Sequence, residues 1–214
     1  MRAEATLTAA DPRVQAFYER PVVEVARALV GCLLAHEGAL GRIVETEAYH
    51  EQEPACHAHI GLTARTSTLF DPPGYAYVYR SYGVHALLNA VVEREGVGAA
   101  VLIRALEPLA GLELMRTRRR LVERRALCSG PGKLTQALDI GLALNRSSLS
   151  EGPIKVLPRP DEDAPAIVAG ERIGITRAVE LPWRFCDSSS DCLSRPSPAA
   201  IGSRRARGRS PRSA

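Results

Sequence analysis

Between residues 75 and 92 the chain reads YAYVYRSYGVHALLNAVV, two β-rich runs separated by a Tyr-Gly pair. That pattern predicts strand, turn and strand, with the Tyr-Gly pair near the tip. So short a connection permits only antiparallel pairing, since parallel neighbours need a long crossover. GRIVETEAYH (41–50) and REGVGAAVLIRAL (94–106) read as further strands, the first followed by a polar loop that ends in the turn signal DPPG. The fold class that follows is α+β, a single domain with a curved, largely antiparallel sheet flanked by helices.

Helical spacing appears in three places. Pro21 is placed to start a helix through VVEVARALVGCLL, which then runs into a strand. GLELMRTRRRLVERR (111–125) reads as a helix with a basic face, and the Gly/Pro loop CSGPGKL (128–134) opens KLTQALDIGL. PIKVLPRP and AIVAGERIGIT supply late strands. A loose leader is expected at 1–11 and the folded domain at 12–187. Ser, Pro and Arg dominate from residue 188, so 188–214 is expected to be a disordered tail.

With 214 residues the chain can bury a real core within one domain. No apolar run is long enough to span a bilayer, and MRAEATLTAADPRVQ lacks a signal-peptide core, so a cytoplasmic monomer with no membrane partner is expected. Five irregularly spaced cysteines argue against a disulfide framework. The formal charge of +4 is unevenly placed, with arginine clustered at 116–125 and 204–212 and only two lysines, Lys133 and Lys155. Such clusters suit either phosphate or a solvated face.

The strand period gives the first chemical pointer. In GRIVETEAYH it puts Glu45, Glu47 and Tyr49 on one face, backed by Val44, Thr46 and Ala48. Tyr75, Tyr77 and Tyr79 share a face of their strand, and His85, Leu87 and Asn89 share one on its return partner. Were these faces to meet, they would wall a pocket with aromatic rings, one amide and one carboxylate, suited to a flat ligand. His50, Cys56, His57 and His59 are capable zinc ligands, but their spacing matches no familiar zinc pattern. CSGPGK lacks the spacing of a nucleotide-binding loop. No metal or organic cofactor is expected.

The chain resembles the alkyladenine (3-methyladenine, N-methylpurine) DNA glycosylase family of base-excision repair. The resemblance runs from ARALVGCLL through GRIVETEAYH, EPACHAHIGLTARTSTLFDPPGYAYVYRSYGVHALLNAVV, AAVLIRALEPLAGLELM and LCSGPGKLTQAL to AIVAGERIGI and LPWRF, about residues 17–185. It implies a monofunctional glycosylase that flips damaged purines out of double-stranded DNA and hydrolyses the glycosidic bond. Glu47 matches the catalytic carboxylate and Arg104 the arginine that helps hold the attacking water. Tyr49, His57 and Tyr79 match the base-stacking wall, with His59 as the alternative to His57, and Asn89 matches the amide at the base edge. Tyr82 matches the tyrosine that intercalates from a protruding β-hairpin, and Lys133 is placed for a DNA-backbone contact. Glu45 is expected to pair with a basic residue or lie toward the sheet edge. One departure stands out: after LPWRF the chain continues CDSSSDCLSRPSP, which predicts a divergent or loosely packed end to the domain. A DNA-binding protein without enzymatic activity on the same fold remains the alternative.

Overall fold

The computed structural model describes residues 12–159 and 164–198. Helices α1 (Pro12–Tyr18) and α2 (Val22–Leu29) lead into strands β1 (Leu33–His36) and β2 (Ala39–His50). A loop with two single-turn helices, His57–Ile60 and Ser67–Phe70, follows. Next come β3 (Ala76–Ser81), β4 (His85–Val91) and β5 (Ala99–Ala110), then α3 (Leu112–Arg119), α4 (Arg124–Leu127) and α5 (Pro131–Leu138). Three short strands follow: β6 (Lys155–Leu157), β7 (Ile167–Gly170) and β8 (Arg184–Asp187).

The strands form one curled sheet in the order β3-β4-β5-β2-β1-β6, and every pair in it is antiparallel. The twelve residues of β2 outrun β1, so its second half takes β8 as a neighbour instead, Glu45 opposite Cys186 and Glu47 opposite Arg184. Helices α2 and α5 cover one face of the sheet, where Val25, Leu29, Leu134 and Leu138 meet Ile43, Ala48 and Ile103 in a fully enclosed core. The α+β expectation agrees with this architecture.

Three expectations need correction. The strand alternation of β2 does not run unbroken, because its register against β5 shifts between Ile43 and Glu45 and again at Thr46. Such bulges insert a residue and turn side chains to the opposite face. Ile43 and Ala48 therefore share the main core, while Val44 packs separately with Ala105 and Cys192 and does not back Glu47 together with Thr46 and Ala48. Second, the basic helical stretch breaks at Arg120, which adopts a left-handed conformation with φ 50°. Its arginines mostly staple the protein: Arg118 donates to the carbonyls of Ala137 and Glu37, Arg124 to that of Pro108, and Arg125 pairs with Asp191.

Third, the boundary expected at residue 187 falls inside packed chain. Residues 188–198 fold back on β2 and β8, with Cys192 fully buried and Arg184 donating to the carbonyl of Arg195. Small serine and cysteine side chains read as low complexity, yet Cys192 and Ser197 are buried here. The expected leader 1–11 and the stretch 199–214 lie outside the described residues. Among the described residues, no helix is long and apolar enough to cross a membrane.

Candidate active site

A cavity of about 830 Å³ is lined by Tyr49, Arg104 and Ile173, and behind these residues two glutamates with no solvent exposure sit on β2. Glu47 Oε1 accepts the backbone N–H of Ile173 at 2.7 Å, while Oε2 accepts the Tyr49 hydroxyl at 2.8 Å and Arg104 Nη1 at 3.1 Å. Glu45 Oε1 accepts Arg104 Nε at 3.1 Å, Arg184 Nε at 2.7 Å and the Ser194 hydroxyl at 2.7 Å; Oε2 accepts the Ser194 N–H at 2.6 Å. Glu45 thus pairs with basic residues, as anticipated. Two carboxylates and two guanidiniums balance within one buried cluster, which is how charge survives burial.

Burial pushes the Glu47 carboxyl above the ordinary glutamate range, while Arg104, the Ile173 N–H and the Tyr49 hydroxyl pull it back. All three of these partners donate, so the arrangement suits an ionised acceptor. They occupy one lone pair on Oε1 and both on Oε2, which leaves one oxygen position able to accept a proton from a further donor such as water. For Arg104, burial disfavours the charged form, but Glu47 and Glu45 raise its pKa and hold it as a cation.

The wall above this floor is aromatic. Tyr77 and Tyr79 stack with centroids 5.1 Å apart and planes 18° from parallel. His57 meets Tyr79 edge-on at 4.7 Å, and its Nδ1 lies 3.3 Å from the Tyr77 hydroxyl. Burial, helped by Arg65, lowers the His57 pKa below its ordinary value, which keeps the imidazole neutral at pH 7. The His57 turn can press against β5 only because residue 98 is glycine, where a Cβ would lie 2.5 Å from that of Ala58. Asn89 is buried and donates Nδ2 to the Tyr77 carbonyl at 3.0 Å, which fixes the orientation of its amide. Tyr49 completes the lining.

At the rim, β3 and β4 pair from Ala76–Ala90 to Ser81–His85, and the turn between them carries Tyr82 at 93% exposure with φ 48°. Lys133, whose Nζ donates to Ser129 Oγ at 3.2 Å, lines the mouth with Arg65, Arg80, Arg119 and Arg177. Here α5 approaches β4 so closely that a Cβ on Gly132 would lie 2.8 Å from the His85 ring.

The fold therefore gathers Arg104, Tyr49, His57, Tyr79 and Asn89 around one cavity, with Tyr82 and Lys133 also in its lining. Glu47 is fully buried behind that lining and is joined to it by its bonds to Arg104, Tyr49 and Ile173. His59 is not among the lining residues; its Nδ1 contacts the Glu51 carbonyl at the surface. Tyr75 also departs from expectation: it bridges Ser148 and lies away from Tyr77 and Tyr79. His50 turns toward Glu93 and Cys56 toward Gly98, and among the described residues no three His, Cys, Asp or Glu side chains converge as metal ligands.

Several contributors escaped the sequence reading. Arg172 lies fully behind the wall, 4.7 Å over the Tyr49 ring and 5.5 Å from that of Trp183, held by two bonds to Glu53 at 2.6 and 3.0 Å. It also donates to the Ala48 carbonyl, tying its loop to β2 so that the next residue, Ile173, presents its N–H to Glu47. Arg184 and Ser194 reach Glu45 from residues 139 and 149 positions away. No local spacing signals contacts of that range. The one available hint was AIVAGERIGI among the resembling motifs, which marked the loop without assigning it a role.

The sequence matches the methylpurine-DNA glycosylase family over residues 16–191. It is 52% identical over 187 residues to a protein of Bradyrhizobium diazoefficiens, covering 87% of this chain and 92% of that one. It is 54% identical over 182 residues to a protein of Rhodopseudomonas palustris (85% and 87% covered) and 50% identical over 186 residues to one of Methanoculleus marisnigri (84% and 97%). All three relatives are named, provisionally, as 3-methyladenine DNA glycosylases. With a buried carboxylate–arginine floor under a stacking wall and a match over most of its length, the chain belongs to the methylpurine-DNA glycosylase family.

Proposed function

We propose that this protein is a base-excision-repair DNA glycosylase that flips alkylated or deaminated purines from duplex DNA and hydrolyses their N-glycosidic bond with an activated water. The observation that carries the reading is Glu47, a buried carboxylate held by three donors from residues that line an aromatic cavity. A base must leave the helix to be attacked, at a cost of a few kcal/mol that is least for damaged pairs. Tyr82, exposed at the tip of its turn, fills the vacated space from the minor groove. Lys133 and the rim arginines meet the phosphates.

Inside the cavity, the flipped base stacks among Tyr49, His57 and Tyr79. The faces of the tyrosine rings attract a positively charged alkylpurine, and a neutral His57 does not repel it. Asn89, its amide already oriented, lies against the base edge; a guanine amino group left unpaired there costs about 1–3 kcal/mol. Glu47 orients and deprotonates the water and stabilises the oxocarbenium character that develops at the sugar carbon. Arg104 holds Glu47 and the water in place. The water attacks the anomeric carbon as the glycosidic bond breaks and gives its proton to Glu47; a cationic alkylpurine departs neutral, a deaminated purine departs as an anion that takes a proton from solvent, and an abasic site remains.

The reaction is monofunctional, because water and not an amine is the nucleophile. Lys133 is the lysine that lines the same cavity. Borohydride trapping therefore belongs in the test: a covalent protein–DNA adduct would identify a lyase and refute the monofunctional assignment. The principal experiment is single-turnover release of methylated purines, ethenoadenine and hypoxanthine from duplex DNA. Glu47→Gln is expected to lower the rate by at least ~10²–10⁴-fold while binding survives. Binding by the parent with no release of any of these bases would instead indicate a DNA-binding protein on the same fold.

A further inference from the structure

Ser194 lies in CDSSSDCLSRPSP, where a divergent or loosely packed end to the domain is expected, yet it reaches into the charged cluster. Its N–H and its hydroxyl both donate to Glu45, one to each carboxylate oxygen, at 2.6 and 2.7 Å. The same hydroxyl accepts Arg104 Nη2 at 3.3 Å. With Nε on Glu45 and Nη1 on Glu47, all three guanidinium nitrogens of Arg104 are then engaged, and the plane of the group is determined. Removal of the Ser194 contact takes away the Nη2 acceptor and leaves the orientation of Arg104 to its bonds with Glu45 and Glu47 alone.

The segment that carries Ser194 is itself anchored on both sides. Cys192 is fully buried against Val44 and Ala105. Arg184 donates to the Arg195 carbonyl at 3.0 Å, and Asp187 accepts from the N–H and hydroxyl of Ser189. Farther on, Pro198 sits so close to Gly170 that a Cβ there would lie 2.4 Å from the proline ring.

We propose that Ser194 is a positioning residue that orients Arg104 toward Glu47, and that residues 188–198 thereby complete the active site from behind β2. The proposal rests on the glycosylase reading above. A charge-assisted hydrogen bond is directional, and a catalytic group displaced by about 1 Å can cost on the order of a hundredfold in rate. Ser194 acts through Arg104 and touches no reacting atom.

The test compares Ser194→Ala, Ser194→Thr and Ser194→Val in the full chain, by single-turnover base release, duplex binding and the ¹⁵N resonance of the Arg104 guanidinium. Threonine and valine have nearly equal shape and differ in the hydroxyl, so that pair decides the matter even if the alanine variant fails to fold. Ser194→Thr should keep the parental rate. Ser194→Ala and Ser194→Val should lose roughly 10–100-fold in the chemical step, with duplex affinity unchanged and the Arg104 Nε–H exchanging faster with water. Parental rates and an unaltered Arg104 resonance in Ser194→Val would overturn the proposal. Should the parent release no base, the glycosylase reading falls, and the Arg104 resonance alone decides whether Ser194 orients that side chain.

Discussion

The floor and the rim of the cavity are built on opposite principles. On the floor, Glu45, Glu47 and Arg104 have at most 6% exposure, and each makes at least three hydrogen bonds to groups from separate parts of the chain. At the rim, Tyr82 is 93% exposed in a tight turn and Lys133 makes a single side-chain contact four residues back. The difference follows from the task. A group that must stabilise charge in a fixed place gains from low dielectric and multiple anchors, whereas a group that must enter a duplex has to remain on the surface until the duplex arrives. Changes on the floor should therefore disturb stability and the chemical step together, and changes at the rim should leave the fold alone.

The largest expected contrast is Arg104→Ala. It strips the shared cation from two buried carboxylates, and breaking such a pair typically costs about 3–5 kcal/mol. Without the guanidinium, burial raises Glu47 further, so the acid limb of the pH–rate profile should move to higher pH. The same shift has a definite sign in stability. A glutamate whose folded pKa exceeds its unfolded value of about 4.3 holds its proton longer in the fold than in the unfolded chain, so the variant should lose stability as pH rises between those two values. Thermal unfolding at pH 5 and pH 8, beside single-turnover rates over that range, checks both. A variant as stable as the parent would dissolve the distinction between floor and rim.

Next in size comes Tyr82→Ala. Loss of the wedge should lower single-turnover release by on the order of 10–100-fold, since holding the helix open costs a few kcal/mol. Stability should stay within about 0.5 kcal/mol of the parent, as for most exposed substitutions. A shift in unfolding as large as that of Arg104→Ala would show that the turn is structural. Smallest is Lys133→Ala, read as the dependence of duplex affinity on salt. The logarithmic slope should become shallower by about 0.9, the release of one counterion, with the rate at saturation unchanged. An unchanged slope would remove Lys133 from the phosphate contacts.

Much of the site was legible in advance because it lies on strands whose period can be read directly. The strand period groups Glu47 with Tyr49, Tyr77 with Tyr79 and Leu87 with Asn89; the cavity lining contains all of these but Glu47, which lies buried behind it and bonds to Tyr49. Resemblance to the family attached roles to these positions but left His57 and His59 as alternatives; of the two, His57 lines the cavity and His59 does not. Where the reading failed, a local rule was overridden by contacts from afar. The bulges in β2 undid its strict alternation, Tyr75 left the row of tyrosines to bridge Ser148, and the arginine run went to staple backbone carbonyls. The misjudged boundary at residue 187 has the same origin, since a polar stretch looks unstructured until its partners are known.

By itself the sequence determined the antiparallel α+β class, the hairpin of β3 and β4 and the pairing of Tyr77 with Tyr79 and of Leu87 with Asn89 on their faces, because each depends on turn length and a two-residue period. Only the tertiary structure decided what surrounds those side chains: Ile173 on Glu47, Arg172 behind Tyr49, Arg184 and Ser194 on Glu45. A buried carboxylate must find donors wherever the closed fold brings them, and here they come from more than a hundred residues away, a distance over which no local pattern carries information.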